Sequence, residues 1–302
     1  MGQSMKVNLT YSDKIRETHG LLRVVKPAPL VAQTALVPTV LPKFNLPVVQ
    51  GLAPEFSLIS LIDRYLFSLN GEEPQFNVKV RLGGPRSQGV FHPSEICKED
   101  ACHRAMAYEL IFAPASKTID ARLRRIFDNG HFTHARIQHV VTEAVKTVGG
   151  LFKDEIRLPI NPERVAGTTD GGMIVNQWPY LLEIKSMNKK NFVALGKAPW
   201  EEHYDQLNIY MRLSRVKAAI ILIECKDNQD QREFFVRYDE KRWMRIENVT
   251  KTVLGYVMAD QLPERISAEN GCQGKDCKFY EICKGSQQNS WRPNFNLLEM
   301  TK

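Results

Sequence analysis

Apolar residues recur at helical spacing over one long segment, residues 118–148. Leu123 and Val141 fall on one face of a helix drawn through this segment, and Gly130 and His134 share that face. The spacing therefore predicts a single long helix that carries a histidine toward the interior. Shorter helices are predicted over residues 56–69, 199–213 and about 240–258.

Runs rich in β-branched and aromatic residues predict the strands of a sheet. Three of these strands follow the long helix directly, and Gly171 and Gly172 are expected to form the turn between the second and the third. The predicted order is helix, three strands, helix, two strands and helix, which indicates an α/β fold built on a central sheet. The strands are predicted at residues 152–158, 164–169, 180–186, 216–224 and 233–238.

The chain outside these elements indicates the domain organisation. Residues 24–55 are rich in proline and apolar side chains but show neither a helical nor an alternating period, so we expect an extended arm there. We place an N-terminal extension with this arm at residues 1–90, the working domain at residues 91–290 and a C-terminal tail at residues 291–302.

Composition narrows the class of protein. Of the 302 residues, 43% are apolar and 25% are charged, which allows a substantial hydrophobic core. No apolar run is long enough to cross a bilayer and the first residues lack the apolar stretch of a secretory signal, so we expect a cytoplasmic protein without a membrane partner. The net charge of +7 and the isoelectric point near 9.0 favour a polyanionic partner such as DNA.

Two charged residues stand inside an otherwise apolar predicted strand. Glu183 and Lys185 are two residues apart, so both side chains project from the same face of that strand. Asp170 ends the preceding predicted strand, where Gly167 and Gly171 permit tight turns that would bring its carboxylate beside Glu183. Converging carboxylates repel each other unless a hard cation lies between them, usually Mg²⁺ or Mn²⁺. An isolated Glu-x-Lys triplet, by contrast, is more often an exposed ion pair.

Four short motifs occur in the order found in one nuclease family. They are G-x-x-x-H at 130–134, G-x-x-D at 167–170, E-I-K at 183–185 and Q-x-x-x-Y at 206–210. Together they resemble the RecB-like branch of the PD-(D/E)XK nucleases, of the CRISPR-associated and phage exonuclease type, over about residues 92–285. The resemblance implies a restriction-endonuclease-like core, with a central mixed sheet flanked by helices, and a metal-dependent exonuclease that hydrolyses phosphodiester bonds from DNA ends.

The resemblance also implies roles for individual residues. A bound metal would lower the pKa of a water and neutralise charge on the phosphate, while the lysine would position that water or stabilise the transition state. Without the resemblance, a histidine on an inward helix face is more often a core residue. The implied metal ligands are His134, Asp170, Glu183 and the main-chain carbonyl of Ile184, and the implied catalytic set is Asp170, Glu183, Lys185, Gln206 and Tyr210.

Three of the six cysteines, Cys272, Cys277 and Cys283, crowd near the C-terminus. In an intracellular chain such a group favours metal ligation over disulfides. CRISPR-associated RecB-like nucleases are similar in having one cysteine before and three after the nuclease core, where they hold a [4Fe-4S] cluster that joins the two ends of the core. The resemblance therefore implies such a cluster on these three cysteines and Cys102. Four residues separate Cys272 from Cys277 where the family commonly has two, and zinc is the alternative metal because it also takes four thiolates.

The remaining cysteines are given other roles. Cys97 competes for the fourth cluster position, and we prefer Cys102 because Arg104 and Tyr108 follow it in the phase of the family. Cys225 lies on a predicted buried strand and is expected to be a small core residue.

Two functions of different classes are compatible with these motifs. The first is an exonuclease in recombination, repair or phage- or CRISPR-linked DNA processing, and the intact set of Asp170, Glu183 and Lys185 favours it. The second is a catalytically dispensable DNA-binding scaffold in a helicase–nuclease complex. No G-x-x-x-x-G-K-[ST] motif is present, so any unwinding would come from a helicase or recombination partner on another chain.

Overall fold

The computed structural model describes residues 4–9, 46–72, 76–81, 87–99, 101–115, 119–267 and 272–295. Most of the predicted proline-rich arm lies outside these residues. None of the helices in the described ranges is both long enough and apolar enough to span a bilayer.

A two-stranded antiparallel ribbon, β1 (Ser4–Leu9) with β2 (Phe76–Arg81), accompanies a five-stranded mixed sheet. In the larger sheet the strands stand in chain order, and only the third and fourth strands are parallel to each other. A parallel pair needs a crossover connection, which two helices supply here. The strands of the larger sheet are β3 (Leu151–Arg157), β4 (Thr168–Val175), β5 (Trp178–Met187), β6 (Ala218–Cys225) and β7 (Gln231–Arg237).

Helices cover both faces of this sheet, so the predicted α/β core with a central mixed sheet flanked by helices is confirmed. Strand β6 is buried along its whole length, as expected for an apolar run covered on both faces. The helices are α1 (Leu58–Ser68), α2 (Pro93–Ile96), α3 (His103–Leu110), α4 (Ala121–Lys146), α5 (Lys189–Ala194), α6 (Glu201–Ser214), α7 (Glu240–Met258) and α8 (Tyr280–Cys283).

Three hydrophobic clusters hold these layers together. The first joins α1 and α4 to one face of the sheet, with Val141 and Ile184 at its centre. The second joins α6 to the opposite face through residues such as Leu207 and Ile221. The third lies between α3, α7 and α8 and includes Trp243. Because α1 packs into the first cluster, part of the predicted N-terminal extension contributes to the core of the sheet domain.

The predicted turn at Gly171 and Gly172 is wrong. Both glycines lie inside β4 and pair with β3 and β5, and the chain reverses instead at Asn176 and Gln177, which both have positive φ. A Cβ atom on Gly171 would lie 2.4 Å from the ring of Phe152. These glycines therefore leave room for neighbouring side chains to lie across the strand. In the sequence, a glycine pair with this role looks the same as a glycine pair in a turn.

Candidate active site

The carboxylates of Asp170 and Glu183 meet where β4 separates from β5. At this end, the last residue pair of the two strands is Gly171 with Leu182. Asp170, the residue before Gly171, lies just beyond that pair, where the strands separate. There its Oδ2 accepts a hydrogen bond from the backbone N–H of Ile184 at 2.7 Å. The side chain replaces the missing strand partner and is thereby fixed beside Glu183. Asp170 is the third residue of β4 and not the end of a strand.

Helix α4 supplies two polar groups to this junction. His134 Nδ1 lies 3.1 Å from Asp170 Oδ1. One helical turn later, Gln138 Nε2 donates to the main-chain oxygen of Asp170 at 2.8 Å. The spacing of four residues places both side chains on the same helix face. Asp170 is therefore held through its side chain and its backbone by one helix.

A chain of hydrogen bonds runs from Glu183 into helix α6. Lys185 Nζ donates to Glu183 Oε1 at 2.7 Å and to Gln206 Oε1 at 2.9 Å. Gln206 Nε2 then donates to the hydroxyl of Tyr210 at 2.8 Å. The structure therefore brings Asp170, Glu183, Lys185, Gln206 and Tyr210 into one connected group, with His134 at its edge.

Burial and mutual repulsion set the ionisation of this group. Burial, followed by the nearby charge of Asp170, raises the pKa of Glu183 to about 7. Burial alone would raise the pKa of Asp170, but His134, Lys185 and the N–H of Ile184 lower it below its usual value. The two carboxylates thus differ, with the ionised form of Asp170 favoured and that of Glu183 disfavoured.

The same charges act on the two basic residues. Burial opposes the ammonium form of Lys185, but the carboxylates of Glu183 and Asp170 outweigh it and raise the pKa of the lysine. Asp170 likewise raises the pKa of His134 against the effect of burial. Lys185 is therefore a cation within the site and not a neutral base.

One carboxylate oxygen of the candidate site has no hydrogen-bond partner among the described residues. Glu183 is only 3% exposed, and its Oε2 is buried without a hydrogen bond. An unsatisfied buried carboxylate oxygen beside a second carboxylate is the environment that a divalent cation relieves. The donor set of carboxylate oxygens and one imidazole suits Mg²⁺ or Mn²⁺.

No three His, Cys, Asp or Glu side chains in the described ranges already converge as a metal site. The hydrogen bonds explain why, because Lys185 occupies one oxygen of Glu183 and His134 points at Asp170. The backbone N–H of Ile184 is turned to Asp170, and the role of its carbonyl as a ligand stays a prediction.

The cysteines predicted to hold a cluster line one cavity of about 570 Å³. Burial raises the pKa of Cys277, and the nearby thiols of Cys102, Cys283 and Cys272 raise it further. The N–H of Gly274, followed by the ammonium of Lys284 3.2 Å from the sulfur, lowers the pKa of Cys272. The structure therefore places the four predicted thiols around one cavity, although no three of them converge as a metal site, and favours the thiolate at Cys272.

The two other cysteines do not line this cavity. Cys97 is buried beside Asp205 and Arg245, and burial raises its pKa. Cys225 is completely buried in β6. Helix α3 begins directly after Cys102, and Arg104 Nε donates to the hydroxyl of Tyr108 at 2.9 Å. This segment packs against the C-terminal cysteines and so connects the start and the end of the domain.

Three further polar residues around the site were not predicted from the sequence. Gln138 is one. Another is Arg136, which pairs with Glu224, a carboxylate that is only 4% exposed at the end of β6. The third is His203, which stacks on Trp200 near Lys185 and whose pKa is lowered to about 4 by burial and by that lysine. The partners of Gln138 and Arg136 are distant in sequence, and only the buried glutamate on an apolar strand gave a sequence signal.

Comparison with known proteins adds only distant similarities. No protein-family model matches the chain, and no curated protein is similar to it. The alkaline exonuclease LHK-Exo from Laribacter hongkongensis is 16% identical with a TM-score of 0.43, covering 57% of this chain and 89% of that one. Its complex with dAMP is 15% identical with a TM-score of 0.44 and the same coverage. A phage related exonuclease from Haemophilus somnus is 14% identical with a TM-score of 0.37, covering 59% and 91%. At these TM-scores a function for this chain depends on the chemistry of its own site.

Proposed function

We propose that this protein is a metal-dependent deoxyribonuclease that hydrolyses phosphodiester bonds. The observation that carries the proposal is the buried, unpartnered Oε2 of Glu183 beside Asp170 and Lys185. Two carboxylates and a lysine on one strand junction are suited to a phosphate ester, because a cation offsets both carboxylates and the ester's own charge. Mg²⁺ or Mn²⁺, when bound, would supply an activated water and neutralise charge on the phosphate.

The protein's own residues would prepare the site for this reaction. His134 and the N–H of Ile184 hold the two oxygens of Asp170 in place. Gln206 holds Lys185 and is held in turn by Tyr210. Because Lys185 remains protonated, its role is to stabilise the charge that develops on the phosphate, and a buried ammonium does this better than one in water.

Two finer features belong to the same proposal. The net charge of +7 supports DNA as the polyanion, and we propose attack from a free end. The cavity lined by Cys102, Cys272, Cys277 and Cys283 supports a structural metal there, and we propose a [4Fe-4S] cluster with zinc as the alternative. A helicase or recombination protein would be the partner that presents the DNA end.

The test is cleavage of end-labelled single- and double-stranded DNA with Mg²⁺, Mn²⁺ or EDTA. We expect metal-dependent cleavage by the wild type and loss of at least roughly a thousandfold in Asp170→Asn, Glu183→Gln and Lys185→Met. The control is Asp154→Asn, which removes an exposed carboxylate from β3 and should retain full activity.

Each alternative outcome is informative. Full activity in either carboxylate variant would overturn the site assignment. Binding of DNA by the wild type without any cleavage would favour the scaffold function. Products that shorten from the labelled end distinguish exonuclease from endonuclease action.

A further inference from the structure

Helix α4 changes character along its length. From Ala135 onward it is buried against the sheet, but residues 121–134 contain no fully buried side chain. A helix of 26 residues is about 39 Å long, and only its second half contributes residues to the hydrophobic cluster on the sheet. Packing against the sheet therefore does not account for the sequence of residues 121–134.

A glycine lies in this more exposed half of the helix, one turn before His134. A Cβ atom on Gly130 would meet no described atom within 4 Å, apart from the helix's own backbone and adjoining residues. Glycine inside a helix destabilises it by about 1 kcal/mol relative to alanine. Internal packing does not require this glycine, in contrast to Gly171. Its position on the face of His134 instead keeps the helix backbone open at the entrance to the site.

The surroundings of Gly130 suit a nucleic acid. Residues 121–134 carry three arginines and one acidic residue, Asp128. Arg122, about two turns before Gly130 and about 80° around the helix from it, is exposed and forms no ion pair with any residue in the described ranges. Phe127, one turn before Gly130, is 44% exposed beside the cysteine-lined cavity. Backbone-tracking positive charge with an exposed ring is the combination by which proteins bind single strands.

We infer that the face of α4 at Gly130 receives one unpaired strand of DNA that leads to the site at His134, with a base stacked on Phe127. A methyl group or larger at Gly130 would hold the strand away from the helix. A paired duplex offers no free base face for Phe127, so the surface is suited to a single strand. The inference rests on the proposed nuclease function and adds the path by which its substrate arrives.

The chain contains a matched control for Gly130 and another for Phe127. Gly255 lies near the end of α7, also with no described atom within 4 Å of an added Cβ. Phe132 is on α4 with a similar exposure of 46%, but five positions from Phe127 it points to a different side of the helix. Replacing either control residue changes a helix in the same way without touching the inferred path.

The experiment measures binding of a fluorescein-labelled single-stranded oligonucleotide in EDTA, together with melting temperature. Gly130→Ala and Gly255→Ala should each melt about 2 °C higher than the wild type. Gly130→Leu should weaken binding roughly tenfold and Gly130→Ala less, whereas both Gly255 variants bind normally. Phe127→Ala should weaken binding roughly tenfold while Phe132→Ala does not.

The outcomes separate this inference from the proposed function. If the wild type cleaves DNA with metal but Gly130→Leu and Gly130→Ala bind as tightly as the wild type, the strand path is wrong and the nuclease stands. A lower melting temperature in Gly130→Ala would show a structural role for the glycine and would also overturn the inference. If the wild type neither binds nor cleaves DNA, both proposals fail.

Discussion

The ion pair between Arg136 and Glu224 joins helix α4 to strand β6 of the sheet. Arg136 Nη2 lies 2.5 and 2.7 Å from the two carboxylate oxygens of Glu224, and Gln231 Nε2 adds a donor at 3.1 Å. Arg136 follows His134 by two residues on α4. The perturbation is Arg136→Met, which keeps an apolar side chain of similar length but removes the cation.

The structure indicates a large effect. Glu224 is 4% exposed while the Arg136 side chain is 45% exposed. The substitution therefore leaves the buried carboxylate of Glu224 without the arginine cation that neutralises it. Removing one partner of a buried pair typically destabilises by 3–5 kcal/mol, and with Gln231 still donating we expect about 3 kcal/mol. The double variant Arg136→Met with Glu224→Met removes the orphaned carboxylate. It should therefore be more stable than the single variant, by about 2 kcal/mol.

The assay is urea unfolding of the wild type, the single variant, the double variant and the control Lys146→Met. Lys146 forms an exposed ion pair with Glu143 on the same helix. Its loss should therefore lower the free energy of unfolding by less than about 0.5 kcal/mol. A double variant less stable than Arg136→Met would refute the argument, because the buried carboxylate would then be stabilising without its partner.

Three further predictions follow from the described contacts. Gly171→Ala should destabilise the protein by about 2 kcal/mol in urea unfolding, because its Cβ would meet the ring of Phe152; unchanged stability would contradict that packing. His203 has a folded-state pKa of about 4 against an unfolded value of about 6.5, so stability is full above the unfolded value and falls as the pH drops through this window. The free energy of unfolding of the wild type should fall between about pH 8 and pH 5, and in His203→Gln this fall should be smaller by about 2 kcal/mol. An equal fall in both proteins would show that His203 is exposed to water in the folded state. Cys102→Ser should abolish the visible absorption of a [4Fe-4S] cluster, and Cys97→Ser should not. Elemental analysis of the wild type should give roughly four irons per chain, whereas one zinc in colourless protein would show that the bound metal is zinc and not the cluster.

Local patterns predicted the elements of the fold well. The helical period over 118–148 became α4, because one face of that helix packs on the sheet. Strand β6 was predicted at residues 216–224 and is buried along its whole length. The error at Gly171 arose because a glycine pair looks the same in a turn and under a crossing aromatic ring. Asn176 at the true turn is a residue that tolerates positive φ, and its signal was overlooked.

The candidate site was predictable only in part. Glu183 and Lys185 are neighbours on one strand, so their shared face follows from the period of a strand. The contact of Gln138 with the backbone of Asp170 joins residues 32 apart, and that of Arg136 with Glu224 joins residues 88 apart. Such contacts depend on how the helix is placed on the sheet, which a local pattern does not specify.

The central claim is that Asp170 and Glu183 form a divalent metal centre. The most direct measurement is a titration of the protein with Mn²⁺ followed by electron paramagnetic resonance, which reports free ion. We predict that the wild type removes Mn²⁺ from solution, that Mg²⁺ displaces it, and that Asp170→Asn and Glu183→Gln bind far less. Asp154→Asn, with its exposed carboxylate on β3, should titrate as the wild type does. Equal Mn²⁺ binding by the wild type and both site variants would contradict the claim.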